Sequence, residues 1–145
     1  MPIDDKRRLL FVHVPKNAGT SIEKHCKMRV TGHNSWKIYK EKFPVEWNNY
    51  LSFAVIRDPI ERFISCYRYA RMKKSYWHSS IKNDVSIYGE HPDYLITSLL
   101  DINSFIELIY YYRINLKHPG WFPQSGWVAN GEQIMVDRLI KYENL

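Results

Sequence analysis

The stretch from Leu9 to Ser21, LLFVHVPKNAGTS, constrains this chain more than any other. Leu9 to Val14 is nearly all apolar and rich in β-formers, the pattern of a strand covered on both faces in a parallel sheet. Pro15 stops it. Lys16 follows, then a small Asn17-Ala18-Gly19 turn, then two hydroxyls, Thr20 and Ser21. These open a helix expected from Gly19 to about Arg29, with Ile22 and Cys26 one turn apart on one face. A strand that breaks into a Lys-bearing turn and a helix start gathers backbone N–H groups, the helix dipole and a full positive charge around one point. That is a cradle for an anion such as phosphate. The turn lacks the upstream glycine of G-x-x-x-x-G-K-[ST], and its Lys precedes its Gly, so it is not a standard nucleoside-triphosphate loop. Taken alone, the same residues also describe an ordinary strand–turn–helix with a capping Thr.

A second unit of the same kind follows. Leu51 to Ile56 reads as a strand, and Asp58-Pro59 as a helix start, with Asp as N-cap and Pro as first helical residue. Ile60, Phe63, Ile64 and Tyr67 recur at helical spacing, so the helix is expected to run to about Lys74. Arg57 ends a buried strand, where an unpaired guanidinium is costly. Either an internal carboxylate such as Asp58 meets it, or an anionic ligand does, and the guanidinium fork matches phosphate. Arg62 and Ser65 lie one and two turns into the helix. Two such turns after two strands suggest a ligand with two separated phosphates.

Elsewhere, Ser35 is placed to cap a short helix through about Lys42, which Phe43-Pro44 breaks. Ser75 to Asp93 is polar, aromatic and weakly periodic, a long connection. Helices are expected over Tyr94 to Leu100 and Asn103 to about Asn115, a loop over His118 to Asn130, and a last strand over Val136 to Tyr142. Strand–helix alternation argues for α/β: a P-loop-like three-layer fold with a small parallel sheet flanked by helices, its ligand at the C-terminal strand ends.

At 145 residues the chain reads as one domain, residues 1–145. Its net charge of +6 favours anionic partners, although no Lys/Arg run is long enough to form a nucleic-acid tail. Eleven Tyr and five Trp suit a core and also sites that grip rings or sugars. The two cysteines, Cys26 and Cys66, read as half-buried free thiols of a reducing compartment. Met1 to Arg8 is polar and charged, unlike a signal peptide, and no segment approaches the roughly 20 apolar residues that span a bilayer. The expected location is cytoplasmic. Cys and His spacings show no zinc pattern.

Together the two motifs resemble the cofactor motifs of sulfotransferases that use 3′-phosphoadenosine 5′-phosphosulfate, most closely the carbohydrate-type family 2 enzymes. In that family the P-K-x-A-G-T-S turn binds the 5′-phosphosulfate, and R-[DN]-P-x-x-R-x-x-S-x-Y binds the 3′-phosphate through its first Arg and its Ser. The resemblance gives Lys16, Asn17, Ala18, Gly19, Thr20 and Ser21 the first role, and Arg57 and Ser65 the second. A looser similarity continues through Phe122-Pro123-Gln124 to the closing Asp137-Arg138-Leu139-Ile140-Lys141-Tyr142-Glu143-Asn144-Leu145, beyond which family members commonly extend. It implies sulfuryl transfer to an acceptor hydroxyl, on a carbohydrate, with an anionic nucleotide as partner and no metal.

His33, in the loop between the motifs, is the expected general base, because an imidazole titrates near neutrality and related sequences carry a His there. Glu23 is the next candidate, and His13, on the first strand, is expected to be buried in the sheet. Trp121, Gln124 and Trp127 are placed either to shape an acceptor pocket or to cover a small core. Two other readings are an atypical P-loop-type small-molecule kinase, for which no strand ending in a magnesium-binding Asp is evident, and a non-catalytic nucleotide or polyanion binder.

Overall fold

A computed structural model describes residues 2–28, 33–72 and 91–145. The long connection expected over Ser75 to Asp93 therefore lies outside the described residues up to 90. The chain divides into two compact units, Met1–Arg62 with Phe122–Leu145, and Phe63–Trp121.

In the first unit the described strands build a mostly parallel sheet in the order β1 (Ile3–Asp4), β2 (Leu9–Val12), β3 (Leu51–Ile56), β6 (Arg138–Lys141). β1 is antiparallel to β2, whereas β2 and β3 run parallel from Leu9↔Leu51 to Val12↔Ala54. β3 and β6 run parallel from Phe53↔Arg138 to Ile56↔Lys141. β2 is central, and Leu10, Phe11 and Val12 are all fully buried. The strand period of two sends them to opposite faces. Leu10 and Val12 join Ile3, Val14, Tyr39, Ala54, Trp127, Val128 and Val136. Phe11 joins Val55 and Met28, with Ile22 and Cys26 packed alongside.

Helices thus cover both faces. α1 (Gly19–His25) lies on the Phe11 side, supplying Ile22. α2 (Trp36–Lys42), α3 (Pro44–Asn49) and α7 (Ser125–Val128) supply Tyr39, Trp47, Trp127 and Val128 to the other. Full burial of a side chain such as Val128 contributes about 1.5–3 kcal/mol. This is the expected three-layer α/β arrangement.

Several elements differ from the sequence reading. Phe43-Pro44 does not end the helical region, because Pro44 sits at the first position of α3, where a missing N–H costs nothing. Ser35 precedes α2 but makes no side-chain cap bond. The expected loop from His118 to Asn130 contains a 3-10 turn (Pro119–Trp121), α7 and β4 (Ala129–Asn130). β4 pairs with β5 (Gln133–Ile134) across Gly131, whose φ of 59° suits a residue without Cβ. Asp137, just before β6, accepts from Ser52 N at 2.8 Å and Ser52 Oγ at 2.6 Å, pinning the start of β6 to β3.

α4 (Pro59–Ala70) carries the chain into the second unit. There α6 (Ile102–Tyr112) is N-capped by Asp101, whose Oδ1 accepts from Asn103 N and Ser104 N at 2.9 and 3.1 Å. Fully buried Phe105 packs on the rings of Phe63, Tyr67 and Trp121. Arg71 donates to the carbonyls of Thr97 and Leu100, at the C-terminal end of α5 (Tyr94–Leu99). Buried Asp93 accepts from Lys117 N, His118 N and the Trp121 indole. Neither Cys26 nor Cys66 is in a disulfide, and the Cys66 thiol donates to Gly120 O at 3.3 Å. Among the described residues, no helix is long and apolar enough to cross a membrane.

Candidate functional site

β2 ends at Val12, and the chain turns within the next six residues by a strained route. Lys16 and Ala18 both hold left-handed backbone, at φ 71° and 61°, with Asn17 between them. A non-glycine residue in that region costs of order 1–3 kcal/mol, a strain that clusters at ligand-binding turns. Left-handed residues flanking one that is not are the backbone ingredients from which anion nests are built. Ala18 is the residue before α1, and its carbonyl accepts from Ser21 N and Ile22 N. Thr20 and Ser21 lie exposed in the first turn of α1.

Gly19 is fixed by what lies against it. A Cβ there would fall 1.9 Å from His13 Nε2, so no larger residue fits while that ring stays in place. The ring is held in turn by Glu23, whose Oε1 lies 2.7 Å from His13 Nδ1 in a pair with 7% and 6% side-chain exposure. Glu23, the alternative base of the sequence reading, is thus committed to His13, and His13 is buried as expected.

The second turn opens at the end of β3. Asp58 does not pair with Arg57. Its Oδ1 caps α4, accepting from Ile60 N and Glu61 N at 2.9 Å each. Arg57 instead lies over the ring of Tyr142, 4.5 Å from its centroid, with Nη2 3.3 Å from Glu61 Oε2. Because the Glu61 side chain is 60% exposed, that contact is worth at most about 1 kcal/mol and is exchangeable. Ser65 lies half-buried on α4 in the second unit.

Three side chains tie the two turns together. Asn17, fully buried, donates through Nδ2 to Val55 O on β3 and to Gln124 Oε1, both at 2.7 Å. Gln124 also accepts from Arg57 N at 3.0 Å and donates to Arg57 O at 2.7 Å. Arg62 reaches back from α4 to Pro15 O at 3.0 Å and to Phe122 O at 3.1 Å. The first and second motifs, which begin at Pro15 and Arg57, therefore stand at the C-terminal ends of adjacent parallel strands and are cross-tied there.

His33 stands beside the first turn. Its Nδ1 is 3.4 Å from His13 O, and its ring meets that of His13 edge-on at 4.1 Å. Burial, reinforced by the neighbouring His13 imidazole, lowers its pKa to about 4, outweighing the bond to His13 O that favours the charged form. A carbonyl can only accept, so the contact to His13 O assigns the proton of the neutral ring to Nδ1 and the acceptor role to Nε2.

Of the residues offered for an acceptor pocket, Trp127 is buried in the core, Trp121 bonds Asp93 within the second unit, and Gln124 is spent on Arg57 and Asn17. For Trp127 the core alternative holds. The sequence reading did not find the Gln124 tie, the Arg62 clasp or the His13–Glu23 pair. Only the last has a local trace, a His one residue from the strand end and a Glu one turn into the helix.

The fold is that of a P-loop-like α/β protein, with two punctuated turns at the C-terminal edge of its parallel strands. A sequence model of the sulfotransferase family matches residues 1–145, and the chain belongs to that family. No curated protein and no solved structure matches it.

Proposed function

We propose that this sulfotransferase-family chain transfers the sulfuryl group of 3′-phosphoadenosine 5′-phosphosulfate to an acceptor hydroxyl, with a carbohydrate as the acceptor class. The observation that carries the reading is the cross-tie: Asn17, Gln124 and Arg62 bring a Lys-bearing nest and an Arg-bearing helix start to adjacent strand ends. A nucleotide with phosphates at both ends of its ribose asks for two anion sites in that relation. The carbohydrate rests on the family 2 resemblance and the aromatic richness of the chain.

In this reading Lys16, Asn17, Ala18, Gly19, Thr20 and Ser21 hold the 5′-phosphosulfate, and Arg57 and Ser65 hold the 3′-phosphate. Glu61 yields its place on Arg57 to the ligand. The acceptor oxygen attacks sulfur in line and forms the new S–O bond. The bond from sulfur to the 5′-phosphate oxygen breaks, and its electron pair leaves with adenosine 3′,5′-bisphosphate. His33 Nε2 takes the acceptor proton. Lys16 and the nest N–H groups stabilise charge gathering on the leaving oxygens, preorganised electrostatics of the kind that dominates phosphoryl transfer. Anchoring at the far phosphate sets the sulfur position.

Calorimetry with adenosine 3′,5′-bisphosphate, followed by transfer of labelled sulfate from the donor to a panel of oligosaccharides, tests both halves. Binding of the bisphosphate with labelled product is expected. An absence of bisphosphate binding by the folded chain would sink the proposal.

A further inference from the structure

We infer that Gln124 is a positioning residue that couples the two anion turns, so that a doubly phosphorylated ligand is gripped as one object. The inference rests on the function proposed above and adds to it how the two halves are held in register. Gln124 makes both available bonds to the Arg57 backbone, accepting from its N–H at 3.0 Å and donating to its C=O at 2.7 Å, as a neighbouring strand would. The same Oε1 accepts from Asn17 Nδ2, and Asn17 sits between the two left-handed residues of the first turn. One amide thus bonds directly to both turns.

Gln124 is itself fixed from behind. It is the residue before α7, its carbonyl accepts from Trp127 N at 3.0 Å, and Trp127 and Val128 are anchored in the core. Asn17 has no spare donor to adjust with, since both Nδ2 hydrogens are used, and among the described residues its buried Oδ1 has no hydrogen-bond partner. A displacement of the Lys16 turn therefore reaches Arg57 through two bonds.

The consequence is a chelate effect. A ligand with two phosphates on a short spacer gains over its separate halves only when the protein already holds both sites at the matching distance. Without Gln124 each turn keeps its own charge, Lys16 and Arg57, and loses the fixed separation.

The test is Gln124→Met, which keeps length and volume and removes all three bonds. Binding of adenosine 3′,5′-bisphosphate is expected to fall about tenfold to a hundredfold, the cost of two or more buried hydrogen bonds. Adenosine 5′-monophosphate and adenosine 3′-monophosphate, each using one turn, are expected to stay within about threefold of the unchanged protein. An equal loss for all three nucleotides overturns the coupling, because it marks Gln124 as a prop for the fold alone. A second measurement needs no ligand and stands even if the proposed donor does not bind. Asn17→Ala is expected to speed hydrogen exchange at the Arg57 amide several-fold, although the Asn17 side chain does not bond Arg57. Unchanged exchange there overturns the inference in the same way.

Discussion

Acidification should destabilise this chain through His33, and the size of the effect follows from its surroundings. Burial, with the His13 imidazole beside it, lowers the His33 pKa from 6.5 to about 4. Between those values the unfolded chain binds a proton that the folded chain refuses, so stability is complete above pH 6.5 and declines as pH falls toward 4. Two and a half units correspond to about 3 kcal/mol once both states are protonated, and about 2 kcal/mol of it is already lost at pH 5. Against a typical total of 5–15 kcal/mol that is a visible fraction. Urea unfolding followed by tryptophan fluorescence at pH 7 and pH 5, on the unchanged protein and on His33→Gln, isolates the contribution. The variant is expected to lose about 2 kcal/mol less between the two pH values. Equal losses, or an imidazole resonance of His33 titrating near 6.5 in the folded protein, would refute the argument.

Gly19→Ala drives a methyl into the His13 ring at 1.9 Å, and since Glu23 holds that ring the expected cost is about 3 kcal/mol, at the upper end for overpacking. Thermal melts check it, and a His13→Ala background should relieve most of the loss. Asp58→Ala removes an acceptor of two N–H groups at the start of α4 and should cost about 1 kcal/mol by denaturant unfolding. Under the proposed function, Lys16→Ala and His33→Ala should lower turnover by about two orders of magnitude or more, while Arg57→Ala should weaken bisphosphate binding about tenfold to a hundredfold. Steady-state kinetics and calorimetry read the two effects separately; equal loss of kcat in all three variants would contradict the division of roles.

The parts of the fold legible in the sequence were those with a local cause. Leu51 to Ile56 could be bounded to the residue, because its apolar run stops at Arg57 and an Asp-Pro pair starts the next helix. β2 stopped two residues short of its expected end, since the chain begins its turn at His13 and Val14. Elements with little periodicity were missed. β1 and the β4–β5 hairpin have two residues per strand, too few to show alternation, and α3 hid behind a proline that reads equally as stop and start. At the site, the two strand–turn–helix junctions were legible because Pro15 and Asp58-Pro59 punctuate them locally. Gln124 stood out in the sequence, but its bonds to the Arg57 backbone did not. No local pattern tells an amide that reads a ligand from one that reads the backbone of a residue 67 positions away.

The neutral state of His33 bears directly on its proposed use as a base. A group whose pKa is about 4 in the ligand-free protein is a weak proton acceptor, yet it stands in the acceptor form throughout the neutral range. Its charged form is disfavoured by burial, by His13 and by Lys16. A bound donor changes the last of these, because its phosphates offset the Lys16 charge and favour the imidazolium that forms as the acceptor proton moves. The base is then weakest in the empty site and strengthens when the reactants are in place. The pH profile separates the two states: the acid limb of kcat/KM reports the free protein and should fall near 4, whereas the acid limb of kcat reports the complex and should lie above it. Loss of kcat/KM with a midpoint near 6.5 would instead assign the proton to an imidazole in open solvent, and the buried ring beside His13 would not be the base.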